Sequence, residues 1–409
     1  MRILLLTDNY LPESNPPAVR SSAHAKRWVE RGHQVTVLTS FPNAPDGKVF
    51  GGYRQSLFHR EVLNTVDVLR VPTLIFPNRG TVLRIVDFLS FMVTASIAGF
   101  FIRRPDVIIA TSGHFFTAVA GWCVSKIHRR PFVFEIRDLW PDSIVAVGAM
   151  KEGLVIRLLR RLEHFLYQQA GLIVTVTNAF RDILMSRGID GDKIVVVTNG
   201  IDSLQLTPGP ASEMLRDKLH LREKIVVSYI GTVGMAHGLQ LILDAANEIQ
   251  NRLPHVQFVI VGAGAELIDL KRQATERKLA NVTFTGRVNY DEVVEYWRLT
   301  DITLILLRDT PLFRTVIPSK VFDAMATGTP IVTNVHGELQ TILEPLGAAE
   351  IIRPDSLAAL VEAIERLLKD PARRQQLSKA ASDAAKKYDR GALADRMLNA
   401  LQVLVERNR

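Results

Sequence analysis

The chain has 409 residues, 47% of them apolar and 22% charged, with a single cysteine, Cys123, and a formal net charge of +8. That is too long for one ordinary core and predicts two domains of about 200 residues each; it excludes an internal disulfide and any cysteine-based zinc site, and fits a reducing compartment. The charge is uneven: residues up to Asp202 carry 24 Lys and Arg against 17 Asp and Glu, the remainder 26 against 25.

The chain opens on Met1-Arg2-Ile3-Leu4-Leu5-Leu6-Thr7, an apolar run too short for a secretory signal and read as a buried first strand. Further β-rich runs at 35–39, 107–110, 132–136, 172–177 and 194–197 alternate with helical patterns such as 18–31. A second series, 225–230, 256–261, 282–285, 302–307 and 331–333, alternates with helices such as 238–252. Strands alternating with helices predict parallel sheets covered on both faces, and two series predict two Rossmann-like domains. Turn formers from Asn199-Gly200-Ile201-Asp202 to Thr207-Pro208-Gly209-Pro210 mark the linker. The expected division is 1–203, 204–385 and a terminal helix, 386–409, packing back on the first domain. Ligands in such sheets sit at the C-terminal strand ends, so two facing domains predict one cleft between them, whose closure would exclude water.

Segment 82–102 is nearly all apolar apart from a narrow stripe of Arg84, Asp87, Ser90 and Thr94, and Arg103-Arg104 follow it. A spanning helix needs about 20 apolar residues, and Asp87 cuts this run to 88–102. It is read as non-spanning, either a buried domain helix or an interfacial helix that dips into a bilayer. The basic first half fits an anionic membrane face or a lipid-linked diphosphate as well as a solvated basic surface; no nucleic-acid module is present.

The chemistry-bearing segment is Ile317-Pro318-Ser319-Lys320-Val321-Phe322-Asp323-Ala324-Met325-Ala326, closed by Gly328 and Pro330. Pro318 starts a helix whose free N–H groups suit an anion, and Lys320 adds a point charge. Asp323, one turn further in, can accept both hydroxyls of a ribose. Together they suggest a site for a sugar diphosphate, although spacing alone also fits an ordinary capped helix. Gly262-Ala263-Gly264 after a strand is weak evidence for a nucleotide contact. His114, in Thr111-Ser112-Gly113-His114, and Arg137-Asp138 stand at strand ends. Arg137 could bind an acceptor phosphate and Asp138 a hydroxyl; a structural Arg–Asp pair is the competing reading. Trp140 is read as core or cleft wall, and His24, His33 and His128 as surface or capping residues. Asp190-Gly191-Asp192 is read as a loop, and no metal is predicted.

These pieces resemble, in order, the retaining GT-B glycosyltransferases of family 4, especially the branch that builds bacterial surface polysaccharides such as capsule, lipopolysaccharide and O-antigen. The matching pieces are Tyr10-Leu11-Pro12-Glu13, Arg20, 31–39, Arg137 to Ser143, Thr198 to Asp202, Gly231-Thr232-Val233-Gly234 with Gly238-Leu239, Val261 to Gly264, and the segment from Pro318. The resemblance implies an α/β GT-B fold and a nucleotide sugar, expected to be a UDP-sugar, held mainly by the second domain. It implies donor contacts from Gly231, Thr232, Gly262, Gly264, Arg287, Val288, Ser319, Lys320 and Asp323. His114 would help position the transferred sugar, with His114 and Lys320 as the catalytic pair. Acceptor contacts would come from Glu13, Asn15, Arg20, Arg137 and Asp138, on a lipid-diphosphate-linked saccharide at the inner face of the cell membrane. No further cofactor is implied.

The sequence departs from the family in three places. Thr315 stands where the first of two glutamates is usual and Asp323 where the second is. Thr232 and His237 occupy the place of a basic pair, leaving Lys320, with Arg287, as the replacement cation. Ser14-Asn15-Pro16-Pro17 replaces a glycine-rich loop. The expected reaction is hexosyl or N-acetylhexosaminyl transfer with retention. The alternatives are a sugar-nucleotide epimerase of the same fold and a non-catalytic saccharide-binding protein; a nicotinamide oxidoreductase lacks its glycine fingerprint after the first strand.

Overall fold

The computed structural model describes all residues except 45, 77–80, 147, 149, 202–205 and 409, and all side chains of those but 81, 82, 290 and 291. It divides into two compact units, Met1–Thr198 with Arg390–Arg409, and Asn199–Asp389. The expected boundary at 203 and 204 lies outside the described residues. The second unit runs past 385 because Lys386–Tyr388 prolongs the preceding helix as a 3-10 turn. There Tyr388 packs on Phe322, ring centres 5.0 Å apart, and its carbonyl accepts the Ile201 N–H.

In chain order the first unit is β1 (Arg2–Leu6), α1 (Pro16–Glu30), β2 (Gln34–Ser40), β3 (His59–Leu63), β4 (Val66–Val71), α2 (Thr81–Phe101), β5 (Val107–Thr111), α3 (Phe116–His128), β6 (Phe132–Ile136), α4 (Asp142–Ala146), α5 (Leu154–Gln169), β7 (Leu172–Thr175), α6 (Asn178–Ser186) and β8 (Ile194–Val196). Its sheet order is β3-β4-β2-β1-β5-β6-β7-β8, parallel except for the β3–β4 hairpin. Every residue of β5, β6 and β7 is buried, as a sheet covered on both faces requires. The strand order reverses between β1 and β5, and that switch point is where such sheets open a ligand crevice.

α1 begins at two prolines, which supply a preset φ where N–H groups would be unpaired. Its inner face is half polar: Arg20, Ser21 and His24 are buried beside Ala18, Ala25 and Trp28. The final helix of the chain, Arg390–Arg407, belongs to this unit. Trp28 donates its indole N–H to Ala394 O at 2.9 Å, and Arg27 and Arg31 both grip Asp395.

The second unit is α7 (Glu213–Lys218), β9 (Ile225–Ile230), α8 (Gln240–Ile249), β10 (Val256–Val261), α9 (Leu267–Glu276), β11 (Val282–Gly286), α10 (Tyr290–Leu299), β12 (Ile302–Ile305), α11 (Lys320–Thr327), β13 (Ile331–Thr333), α12 (Glu338–Leu343), β14 (Ala349–Ile351), α13 (Leu357–Lys369) and α14 (Pro371–Ala385). The all-parallel order is β11-β10-β9-β12-β13-β14, with its own switch point between β9 and β12. Two apolar cores, one on each side of this sheet, seal it.

The two-domain α/β architecture is the GT-B fold. One sequence-based assignment is overturned here. His24 is not a surface or capping residue: it is buried with its ring 5.6 Å from Trp28, and burial followed by the Arg20 charge holds it down at about 3.

Candidate active site

In the second unit the site grows from two strand ends that approach too closely for side chains. Gly231 follows β9 at φ 145° and donates its N–H to Val261 O. Gly262 follows β10, and a Cβ there would stand 1.9 Å from Gly231 O; one on Gly264 would stand 2.1 Å from Val233 O. These glycines therefore serve backbone-on-backbone packing, and Val233 N–H reaches Ala263 O at 3.0 Å. The result is a narrow ledge of peptide groups at the switch point.

Lys320, the first residue of α11, reaches this ledge. Its Nζ donates to the Tyr229 hydroxyl at 2.5 Å and lies 3.9 Å from the Tyr229 ring centre. Tyr229 in turn donates to Thr232 O at 2.6 Å. A Cβ on Gly231 would meet Nζ at 3.0 Å, so the cation touches the glycine turn itself. Burial pushes the ammonium down to about 7, with Asp323 opposing. His237 beside Tyr229 is held at about 3 by burial and then by the Lys320 charge, so it is neutral. Among the described residues no carboxylate is recorded bonded to the partly desolvated Lys320 cation, an arrangement that suits an anion.

The other expected donor residues divide. Ser319 caps α11 by position without a side-chain cap bond, and accepts a hydrogen bond from Asn199 Nδ2 at 3.3 Å. Asp323 is half-buried in the first turn of α11. Thr232 is exposed beside Gly231. Arg287 is exposed after β11, and Val288 packs against the apolar core. Thr315 turns inward to bond Leu312 O. Two neighbours were not anticipated. Tyr229 is hidden inside an apolar strand. Arg308, at the end of β12, donates its N–H to Ala236 O and pairs with Glu266 at 3.4 Å.

The first unit has a cavity of about 180 Å³ at its switch point, lined by Asp8, Asn9, Ser40, Arg84, Asp87, Phe88 and His114 among others. His114 is buried, stacked on Phe88 with ring centres 4.1 Å apart, and its Nε2 is 3.6 Å from Asp8 Oδ2. Burial lowers its pKa, Asp8 opposing. Asp8 Oδ1 is sealed and accepts no hydrogen bond among the described residues. Asp87 is pushed up to about 6 by burial and by Asp8. A cavity with carboxylate acceptors and a stacked aromatic floor suits a polyhydroxylated ring. Asp8 and Phe88 were not singled out from sequence, and Asp87 only as a break in an apolar run, because only the fold joins them to His114.

The expected acceptor residues mostly hold the framework. Arg20 is buried, bonded to Glu135 at 2.9 Å and to Val197 O and Thr198 O, so its guanidinium ties β6 to the end of β8. Asn15 caps Ala18 N and donates to Asn9, so its side chain is spent on α1. Glu13 accepts from Asn43 N and Ala44 N, both 2.7 Å, bracing the loop after β2; burial raises it to about 7. In this structure these three side chains brace the framework around the strand ends. Arg137 differs: its Nη1 is sealed with no hydrogen-bond partner among the described residues, and burial with the Arg20 charge lowers it to about 10. Asp138 is exposed next to it. Trp140 stacks on Phe115, and Asp190 caps Asp192 N in a 3-10 turn.

Comparison with known proteins agrees with this geometry. A family model described as glycosyl transferases group 1 matches residues 212–384, and one described as glycosyl transferase 4-like domain matches residues 17–200. The chain is 26% identical over 379 residues to the putative colanic acid biosynthesis glycosyl transferase WcaI of Escherichia coli (strain K12), covering 90% of this chain and 92% of that one. It is 25% identical over 269 residues to the probable glycosyltransferase WbjE of Pseudomonas aeruginosa, covering 65% and 66%. The crystal structure of Anabaena Alr3699/HepE in complex with UDP and glucose superposes with a TM-score of 0.74 at 18% identity, covering 98% of this chain and 99% of that one.

Proposed function

Starting from the fact that this chain is a GT-B glycosyltransferase of the family 4 type, we propose that it moves a hexosyl or N-acetylhexosaminyl group from a UDP-sugar to a lipid-diphosphate-linked saccharide, with retention, in surface-polysaccharide synthesis. The observation that carries this reading is the half-buried Lys320 ammonium against Tyr229 and the Gly231 turn. A diphosphate laid on that turn would replace the lost hydration of the cation. Asp323 would take the ribose hydroxyls.

As the bond from the sugar C1 to the donor phosphate oxygen breaks, charge collects on the leaving diphosphate. Lys320 and the nearby N–H groups stabilise that charge. The acceptor hydroxyl forms its bond to C1 on the same face, and its proton passes to the leaving phosphate oxygen. No carboxylate nucleophile is needed for this course. His114 and Asp8 would fix a sugar hydroxyl, and the half-buried Arg137 guanidinium would meet an acceptor phosphate. Support for UDP comes from HepE, which holds UDP; support for polysaccharide synthesis comes from the similarity to WcaI.

The test is a product assay with UDP-sugars and a synthetic polyprenyl-diphosphate saccharide, read by NMR at the new anomeric centre. Transfer with the donor's configuration is expected. Inversion at that centre would overturn retention; conversion of the UDP-sugar without acceptor would favour the epimerase, and binding without turnover the saccharide-binding reading.

A further inference from the structure

Helix α2 is inside out. Its polar residues turn toward the unit: Arg84 and Asp87 line the cavity, and Ser90 Oγ accepts the Leu74 N–H. Phe91, Ala95 and Ala98 seal its inner face. The outward stripe is apolar, with Val93 50%, Ile97 54%, Phe100 60% and Phe101 71% exposed. Spacings of three and four put these on one face. A water-facing helix carries the opposite pattern, and an apolar patch of this extent marks an interaction site.

The patch does not end with the helix. Phe101 meets the exposed Phe58 edge-on at 6.4 Å. Arg104 donates to His128 O, and His128 Nε2 donates to Gly99 O, so the ends of α2 and α3 are stitched together. That brings the exposed Ile127 beside the stripe and surrounds it with Arg103, Arg104, Lys126 and Arg129, all exposed. Between Asp87 and Glu135 the sequence has one acidic residue, Asp106. Its carboxylate accepts the Arg2 N–H. Apolar side chains with four cations beside them, in a stretch of sequence whose one carboxylate is already engaged, complement a layer of anionic headgroups over hydrocarbon.

We infer that the outward face of α2, with the joined ends of α2 and α3, docks on an anionic lipid bilayer, laying α2 along the surface. The cavity opens on the first turns of the same helix. Docking therefore holds the cavity beside the headgroups, where the sugar of a lipid-linked acceptor would stand while its lipid stays in the membrane. This deepens the lipid-linked acceptor reading and rests on it.

The test is co-sedimentation of the full chain with phosphatidylcholine vesicles and with equimolar phosphatidylcholine–phosphatidylglycerol vesicles. Binding is expected to the mixed vesicles and to weaken with salt. Arg103→Glu with Arg104→Glu should weaken it roughly thirtyfold or more, and Ile97→Ser with Phe100→Ser roughly tenfold or more. All four side chains are exposed or lie on the exposed face, so UDP binding should be unchanged in both variants. No binding to either vesicle, or equal binding by wild type and variants, overturns the inference. So does concentration-dependent dimerisation lost in the variants, which would make a second copy the occupant. Wild type that binds vesicles but not UDP would sink the donor reading and leave the docking face standing.

Discussion

The two units place their sites at equivalent switch points and build them from different materials. In the second unit the site is peptide backbone plus one cation: Gly231, Gly262 and Gly264 clear the space, and Lys320 enters it. In the first unit it is side chains from four separated segments: Asp8, Ser40, Asp87 with Phe88, and His114. A ledge of peptide groups with a lysine beside it suits the charge of a nucleoside diphosphate. A cavity of carboxylates, an aromatic floor and a neutral histidine reads the pattern of hydroxyls. On the proposed function, the common part of the reaction would be held by backbone, and the variable part by side chains that can be exchanged without refolding the sheet.

The strongest way to break this contrast is at the buried charges under the first unit. Burial alone would raise Glu135, but Arg20 and Arg137 outweigh it and hold the carboxyl at about 2. Glu135→Ala strands Arg20 and should cost about 3–5 kcal/mol in denaturant unfolding. A depressed carboxyl contributes stability above its unfolded value near 4.5 and loses it as the pH falls toward 2. The acid limb of a stability–pH curve should therefore flatten in the variant; a loss under about 1 kcal/mol would show that the pair is not under strain of burial.

In the second unit Lys320→Ala should leave the fold intact and slow transfer about 10²–10³-fold, the usual cost of one lost donor to a developing oxyanion. Steady-state turnover with a UDP-sugar measures it. Gly262→Ala should follow at about 2–4 kcal/mol of stability, because its Cβ would strike Gly231 O at φ 139°. Gly188 has φ 82° with nothing within 4 Å. Gly188→Ala should cost only about 1 kcal/mol of backbone strain. Equal thermal shifts for the two would remove the close-packed ledge from the account.

How much of this was legible follows the same contrast. Runs such as 3–7, 107–110 and 256–261 are mostly apolar and rich in strand formers, and they are strands at nearly those limits. The β3–β4 hairpin escaped because β3 is half-exposed with Arg60 and Glu61 in it, and its turn uses Asn64 and Thr65 at positive φ rather than glycine. β14 is only three residues long. Lys320 could be found because a short segment places it at a helix start. Tyr229 could not, since inside an apolar strand a tyrosine looks like core. Nor could the Asp8–His114 cavity, whose parts are over a hundred residues apart. His24 was misread because its helix face mixes Arg20 and Ser21 with Trp28, so polarity there says nothing of burial.

The smallest effect, and the most direct one, is in the titration of Lys320. Its folded value of about 7 lies below the ordinary 10.5, so the unfolded chain binds more protons between the two and stability should rise over that range. A bound diphosphate favours the charged form and reverses this, so UDP should be held less tightly as the pH rises above 7. Calorimetric titration of UDP at pH 8, in two buffers of different ionisation enthalpy, measures the proton balance directly. The account predicts net proton uptake on binding by the wild type, and weaker binding without uptake by Lys320→Ala. The same affinity and the same proton balance in both proteins would contradict it.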